Sequence, residues 1–174
     1  PYLGMKKMDS RLYEYCEKQF PNSKADLATV FIERWIPALE TGGSFSAVTP
    51  QNWMLLGSYK KFRQNLLLCS HLKVVATLGS KAFGSISGEV VKAVLLSLDR
   101  VTSDETCLTY GLDVSEQNDV DSKSDELGRQ VLEKSLQSSL SLTPDSRIVI
   151  TERSDGEPLE DFAISKRGIV NGDN

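Results

Sequence analysis

The stretch LKVVATLGSKAFGSISGEVVKAVLLSL, residues 72–98, decides the fold. Two apolar runs, residues 72–78 and 90–98, flank a loop at residues 79–88 that is rich in Gly and Ser. Apolar, β-branched runs bounded by turn residues are typical of buried strands. The connection contains no helical pattern, and at about ten residues it is shorter than the dozen or more that a parallel crossover needs. The stretch therefore predicts an antiparallel pair of strands.

Upstream of this pair, the pattern predicts three helices and one strand. Apolar residues at helical spacing predict helices over residues 9–20, 24–40 and 59–69. Residues 44–49 alternate with period two, which predicts a strand, and a loop follows at residues 50–53. The candidate N-caps of the helices are Asp9 or Ser10, Ser23, and Ser58. The apolar stripe of the second helix, expected to face the core, is formed by Leu27, Val30, Phe31, Arg34, Trp35 and Leu39.

Downstream of Arg100 the composition changes. Residues 102–106 and 115–126 are acidic and rich in Ser, which predicts loop or linker. Between them, residues 107–114 form a candidate strand. A helix over residues 127–140 and a short strand over 148–150 complete the prediction. The segment after residue 100 thus reads as a mixed appendage to an α/β unit.

Length and charge set limits on function. A chain of 174 residues fits one hydrophobic core, and it contains no run of 18 apolar residues that would predict a membrane span. The formal net charge is −4, but it is uneven: residues 1–100 hold 13 Lys and Arg against 8 Asp and Glu, whereas residues 101–174 hold 7 against 16. DNA would prefer the first part, and the overall acidity argues against strong autonomous binding.

The reactive side chains are few and scattered. The three cysteines, Cys16, Cys69 and Cys107, lie far apart, which argues against a disulfide scaffold and fits a reducing, cytoplasmic compartment. With the single histidine His71 and no paired cysteines, the sequence predicts no metal site. His71 itself is expected to be structural or solvent-facing. The loop at residues 79–88 lacks the Gly-Lys-Ser/Thr ending of a phosphate loop.

A series of blocks in a fixed order resembles the site-specific DNA adenine-N6 methyltransferases of the gamma arrangement. Within that group, the blocks most resemble the PglX methyltransferases of bacterial BREX phage-defence systems. The type IIG restriction–modification enzymes are the second most similar. After Pro1-Tyr2, the blocks are residues 24–27 (KADL), 31–34 (FIER), 42–43 (GG), 48–53 (VTPQNW), 57–63 (GSYKKFR), 78–83 (LGSKAF) and 86–91 (ISGEVV).

The resemblance implies a fold and a domain division. Residues 1–100 are expected to be the C-terminal half of a Rossmann-like class I methyltransferase sheet that ends in an antiparallel hairpin. Residues 101–174 are expected to be an acidic linker or appendage, whose end at residues 168–174 resembles the segment entering a target-recognition domain. Pro1-Tyr2 resembles the second half of the Asn-Pro-Pro-Tyr signature, so we expect the Asn, the first Pro and the glycine-rich cofactor loop upstream.

The resemblance also implies site residues, a cofactor and partners. The cofactor is S-adenosylmethionine, and the partners are double-stranded DNA and other subunits of a defence system. Alternatives remain open for several side chains: Phe31 could pack in the core, Phe83 could plug the core beneath its loop, and the basic cluster could be a solvated helix face. The implied roles are catalysis for Pro1 and Tyr2, stacking on a flipped adenine for Tyr2 and Phe83, cofactor contact for Asp26 and Phe31, and DNA contact for Lys60, Lys61 and Arg63.

The expected activity is methyl transfer to adenine N6 in a specific DNA site. Without the upstream half, the chain is expected to be inactive and to expose an apolar sheet edge and helix face, so that it self-associates. One alternative is a non-catalytic module, derived from a methyltransferase half, that binds DNA or a partner. Another is a type IIG enzyme that also cleaves DNA, which would need a nuclease motif upstream.

Overall fold

The structure, a computed structural model, describes residues 2–83, 91–150 and 162–163. Its described part is an α/β arrangement in which five strands form one sheet. In chain order the strands are β1 (Ser44–Pro50), β2 (His71–Gly79), β3 (Ala93–Asp99), β4 (Leu108–Asp113) and β5 (Glu133–Leu136). The helices are α1 (Ser10–Gln19), α2 (Leu27–Trp35), α3 (Asn52–Leu55), α4 (Lys60–Cys69), α5 (Val120–Arg129) and α6 (Gln137–Ser141).

The sheet has mixed topology, with the order β1-β3-β2-β4-β5. Strand β3 runs antiparallel to both β1 and β2, whereas β4 is parallel to β2 and β5 is antiparallel to β4. The antiparallel pairing of β2 with β3 confirms the prediction from residues 72–98. Because β1, β2 and β4 share one direction, their C-terminal ends meet at one edge of the sheet, where α/β folds place their ligands.

The main core packs the sheet against the helices that follow β1. Trp53, from α3, is 1% exposed and lies edge-on to Phe62 from α4, with ring centroids 5.7 Å apart. This geometry suits the quadrupoles of the two rings and fills a large volume. The other large core side chains are Ile32, Leu72, Leu98, Leu140 and Ile148, all at most 1% exposed.

Several local predictions are confirmed. The helix at residues 9–20 corresponds to α1, and its predicted cap is Asp9, whose Oδ1 accepts a hydrogen bond of 2.8 Å from the Leu12 N–H. The strand at 44–49, the helix at 59–69 and the strand at 107–114 correspond to β1, α4 and β4. Alternation of apolar and polar residues in the strands, and helical spacing of apolar residues in the helices, allowed these elements to be predicted.

Helix α2 differs from its prediction at both ends and in its buried face. It begins at Leu27 rather than residue 24, and its cap is Asp26, not Ser23. A 3-10 turn, Ile36–Ala38, replaces its last turn because Pro37 cannot continue the helix. Phe31 and Trp35 are exposed, 37% and 46%, although the apolar stripe placed them toward the core. Both sides of α2 carry apolar residues, so spacing alone did not identify the side that faces the sheet.

The predictions for residues 115–150 were mostly wrong. Helix α5 lies in the predicted linker, and the predicted helix at 127–140 is instead the end of α5 followed by β5 and α6. Residues 148–150 are not a strand, yet Ile148 and Ile150 are buried. Ile150 packs on Gly111 of β4, where an added Cβ would lie 2.4 Å from the Ile150 Cγ2. The acidic segment therefore extends the sheet and covers part of it.

No helix in the described ranges is long and apolar enough to cross a membrane.

Candidate functional site

An open cavity of about 530 Å³ lies at the C-terminal end of β1. Four separate parts of the chain form its wall: the N-terminal segment, the start of α2, the turn after β1 and the residues before β3. It therefore lies at the edge of the sheet where the parallel strands end. The lining residues are Tyr2, Gly4, Met5, Lys6, Lys7, Ala25, Asp26, Pro50, Asn52, Val91 and Lys92.

Backbone hydrogen bonds fix the N-terminal segment against the start of α2. The Met5 N–H donates to the Ala25 carbonyl and the Leu27 N–H donates to the Leu3 carbonyl, each at 3.0 Å. Gly4 and Asp26 form the antiparallel bridge between these two bonds. The bridge holds Tyr2 beside Asp26, although 24 positions separate the two residues in the sequence.

Asp26 has two roles at this point. Its Oδ1 accepts a hydrogen bond of 2.8 Å from the Ala28 N–H and so caps α2, while the residue also lines the cavity. A carboxylate at a helix N-terminus is stabilised by the helix dipole. Partial burial and the nearby Asp26 charge both raise the pKa of the Tyr2 phenol. Tyr2 therefore presents a neutral ring to the cavity at physiological pH.

Buried aromatic side chains lie behind the wall of the cavity. The Trp53 indole Nε1–H donates to the Thr49 hydroxyl at 2.9 Å, which anchors α3 to the end of β1. Tyr59 is 6% exposed and lines, with Asp26 and Trp53, a smaller cavity of about 30 Å³. Burial chiefly raises the pKa of Tyr59, and the Asp26 charge adds to the rise. Trp53 is thus a buried anchor and not a surface aromatic.

The structure brings together two of the predicted site residues, Tyr2 and Asp26. Phe83 is 39% exposed and does not line this cavity, so its convergence with Tyr2 on one base slot stays a prediction. Phe31 is also absent from the cavity wall, and its cofactor contact stays a prediction. Pro1 lies outside the described residues, as do most of residues 86–91 and all of residues 168–174.

The predicted basic cluster on α4 divides into exposed and buried members. Lys60 and Lys61 are exposed, and the Lys60 Nζ lies 3.1 Å from an Asp145 carboxylate oxygen. Arg63 has no exposed surface, and its guanidinium donates to backbone carbonyls of residues 53, 56, 145 and 146 at 2.6–3.0 Å. Arg63 is therefore a structural cross-link in this structure and does not join the other two on the surface.

His71 confirms its expected structural role. At the start of β2, its ring Nε2 lies 2.9 Å from the Leu108 carbonyl oxygen of the neighbouring strand β4. Sequence reasoning missed three side chains of the cavity wall, Lys6, Lys7 and Lys92. For the first two, a signal was present, since they follow the Pro1-Tyr2 motif by only a few residues. In the described ranges, no group of three or more His, Cys, Asp or Glu side chains could hold a metal ion.

Comparison with known proteins gives matches to a family model and to two curated methyltransferases. Residues 1–83 match the model of the Eco57I restriction-modification methylase family. The adenine-specific methyltransferase BrxX of Escherichia coli O9:H4 (strain HS) is 44% identical over 92 residues, and the adenine-specific methyltransferase PglX of Lacticaseibacillus casei (strain Zhang) is 38% identical over 92 residues. Each match covers 53% of this chain and 8% of the relative.

A solved structure extends the likeness beyond the matched sequence. The type IIG restriction endonuclease BpuSI covers 82% of this chain with a TM-score of 0.55 at 15% identity, and the match takes up 19% of that protein. At this identity the likeness shows the fold. Together the matches confirm the resemblance to adenine-specific methyltransferases over about half of the chain, and the methyltransferase-like α/β fold. The matched part of the chain spans about a twelfth of the length of the two curated relatives.

Proposed function

We propose that this chain is part of an enzyme that transfers a methyl group to adenine N6 in a specific DNA site, in restriction–modification or phage defence. The observation that carries the proposal is the shared cavity of Tyr2 and Asp26 at the C-terminal end of β1. That cavity is built mainly from residues 1–83, the part of the chain that matches the methylase model.

Tyr2 has the properties of a stacking platform for an extruded base. Its ring is 42% exposed and lines an open cavity, while the backbone around it is fixed by the bridge to Asp26. An enzyme that modifies adenine N6 must take the base out of the duplex, because the atom is otherwise stacked and paired. Stacking on an aromatic ring contributes about 1–3 kcal/mol per base. A neutral Tyr2 ring does not repel the negatively charged phosphates of a bound DNA.

Asp26 fits the cofactor expected for this reaction. S-adenosylmethionine, when bound, supplies an electrophilic methyl group on a positively charged sulfur. The Asp26 side chain offers a half-buried carboxylate on the cavity wall, and such an oxygen accepts hydrogen bonds from ammonium and hydroxyl groups. One Asp26 oxygen accepts from the Ala28 N–H, which orients the carboxylate. Phe31 is proposed as a cofactor contact on the sequence resemblance alone.

The reaction makes few chemical demands on this chain. The adenine amino group is a poor nucleophile because its lone pair is delocalised, so hydrogen-bond acceptors must orient it. The resemblance assigns these acceptors to the signature around Pro1. Direct attack on the methyl group needs no covalent enzyme intermediate, and correct positioning of two bound reactants can supply about 7–11 kcal/mol of the barrier.

The exposed surface of residues 2–100 suits packing against the rest of a larger catalytic domain. Strand β1 has a neighbour on one side only in the described sheet, and Val48 on it is 41% exposed. Phe31 and Trp35 on α2 and Tyr15 on α1 add exposed aromatic surface. A free strand edge and exposed aromatic rings both favour packing against further chain. We propose that the cofactor-binding half of the domain packs here.

The test substitutes Tyr2 in the intact protein. We expect Tyr2→Ala to lower kcat/KM for methyl transfer by about 5- to 150-fold, the equivalent of one lost stacking contact. Tyr2→Phe keeps the ring and should stay within about threefold of the natural protein. Tritiated methyl transfer to duplex DNA measures both, and circular dichroism controls for folding. Unchanged transfer by Tyr2→Ala would remove Tyr2 from the site, and no transfer to adenine by the unsubstituted protein would refute the function.

A further inference from the structure

We infer that Lys6, Lys7 and Lys92 bind the DNA backbone on either side of the extruded adenine. These three side chains, called the lysine rim below, line the same cavity as Tyr2. The inference rests on the proposed function and names the substrate contacts of that site. Its ligand class is the phosphodiester group.

The charge balance of the cavity wall supports this inference. Among the described residues, the wall carries three lysine side chains against the single carboxylate of Asp26, in a chain whose formal net charge is −4. All three lysines are exposed, and none forms a salt bridge with any residue in the described ranges. The described part of the cavity wall is therefore locally positive on an acidic chain.

The lysine rim is held in place by backbone contacts. Lys6 and Lys7 belong to a 3-10 turn, Met5–Lys7, in which the Lys7 N–H donates to the Gly4 carbonyl at 2.8 Å. Gly4 is in turn bridged to Asp26. Lys92 comes from a distant part of the chain, and its carbonyl accepts a hydrogen bond of 2.8 Å from the Gln51 N–H, in the turn after β1. Two independent segments thus bring positive charge to one opening.

The combination of an aromatic ring and nearby ammonium groups is suited to a nucleotide outside its helix. Proteins that hold single-stranded nucleic acid use rings for the bases and basic side chains for the backbone. Phosphate contacts of this kind set the position of the DNA and carry no sequence information. By contrast, Lys60 is already paired with Asp145 and Arg63 is buried. Of the α4 cluster, only Lys61 is exposed and outside a salt bridge in the described ranges, whereas all three members of the lysine rim are.

The test measures DNA affinity of the intact protein at several salt concentrations. The variants are Lys6→Gln, Lys7→Gln, Lys92→Gln and the triple substitution, with Lys134→Gln on β5 as an exposed control far along the sheet. The slope of log affinity against log salt is negative, and each lost phosphate contact should reduce its magnitude by about 0.9. We expect the triple variant to lose two to three phosphate contacts, which reduces the magnitude of the slope by about 1.8–2.7. The control should leave the slope unchanged.

A second readout separates DNA from cofactor. Equilibrium binding of S-adenosylmethionine should be the same in the triple variant and the unsubstituted protein. An unchanged salt slope in the triple variant overturns the inference, whether or not cofactor affinity falls. If the unsubstituted protein binds DNA but transfers no methyl group, the proposed function fails, while the slope comparison still decides whether the lysine rim contacts phosphate. Circular dichroism of each variant shows that the fold is retained.

Discussion

Residues 2–100 and residues 101–150 belong to one sheet but are held in it differently. The first region supplies most of the apolar core, including Trp53 and Phe62, and its edge carries the cavity. The second region adds few apolar side chains to that core, chiefly Leu140, Ile148 and Ile150. Besides the pairing of β4 with β2, it is attached by buried polar side chains that bond backbone groups across the boundary. An acidic, Ser-rich sequence can therefore be an integral layer of a fold.

Gln137 shows how this attachment works. It begins α6, has no exposed surface, and uses its whole amide. The Nε2 donates to the Leu67 and Ser70 carbonyls at 2.7 Å each, and the Oε1 accepts from the Leu72 N–H at 2.8 Å. These partners lie at the end of α4 and the start of β2. Full satisfaction of a buried amide makes such a contact specific, since any slip leaves polar groups unpaired.

The largest effect should come from Arg63, which joins both regions. Its guanidinium bonds the carbonyls of Trp53 and Leu56 in the first region and of Asp145 and Ser146 in the second. We expect Arg63→Met to lower the free energy of unfolding by about 4 kcal/mol, because four buried carbonyls lose a charged donor. Urea unfolding of the 174-residue chain, followed by circular dichroism, measures the change.

Lys61→Met is the matched control, since Lys61 is exposed on the same helix. It should change the unfolding free energy by less than about 0.5 kcal/mol. Equal effects of the two substitutions would mean that the Arg63 contacts do not hold the regions together.

The sequence predicts the first region, with its apolar core, better than the second region, with its buried polar contacts. The apolar runs of β2 and β3 and the spacing in α1 and α4 identified their elements, because burial of one face imposes a period. The second region has no such period, and the side chains that join it to the first region, Gln137, Lys123 and Arg63, are polar. Sequence pattern assigns polar residues to the surface. Arg63 was accordingly expected to contact DNA. Its buried partners at residues 145 and 146 are more than 80 positions away, and no local pattern reveals them.

A smaller effect is expected from Lys123, which joins α5 to the ends of two strands. Its buried Nζ donates to the Leu78 carbonyl at 2.7 Å and the Val114 carbonyl at 3.0 Å. Burial lowers the pKa of Lys123, although nearby carboxylates oppose the change. Because the ammonium group is incompletely compensated, we expect Lys123→Met to cost about 2 kcal/mol of unfolding free energy, less than Arg63→Met.

The control for Lys123 is Lys134→Met on β5, an exposed side chain with no salt bridge in the described part of the chain. Hydrogen exchange of the amides at residues 78–79 and 114–115 should speed up in the first variant only. If exchange there is unchanged, α5 is not attached through Lys123. Of the three side chains described above, only Arg63 and Gln137 would then remain as buried polar contacts between the two regions.

The site was predictable in part, for a related reason. Tyr2 and Asp26 were found because ordered blocks of residues resembled a known family, not because their separate properties were unusual. The bridge that joins them consists of backbone hydrogen bonds, which side-chain patterns do not encode. The lysines of the cavity wall were missed because Lys92 reaches the opening only through the antiparallel return of β3, and such proximity depends on the completed topology.

The smallest effect should come from an exposed polar contact inside the first region. The Ser44 hydroxyl on β1 donates to the Asp99 carboxylate on β3 at 2.6 Å, and Lys73 on β2 lies 3.2 Å from the same carboxylate. The Ser44 hydrogen bond is the main cause that lowers the pKa of Asp99 below its usual 3.8, with Lys73 adding to it. Water screens this group, so Ser44→Ala should cost less than about 1 kcal/mol at pH 7.

The pH dependence identifies this contact as electrostatic. Because the pKa of Asp99 is lower in the folded than in the unfolded chain, its stabilisation is present above pH 3.8 and is lost as pH falls through the folded pKa. The difference between Ser44→Ala and the natural chain should therefore shrink as the pH falls below 3.8. Ser46→Ala is the control, since Ser46 on the same strand donates to the uncharged Ser97 hydroxyl at 3.1 Å and its effect should not vary with pH. A Ser44→Ala effect that persists in acid, or that exceeds the cost of Lys123→Met, would contradict the distinction drawn between exposed contacts within the first region and buried contacts between the two.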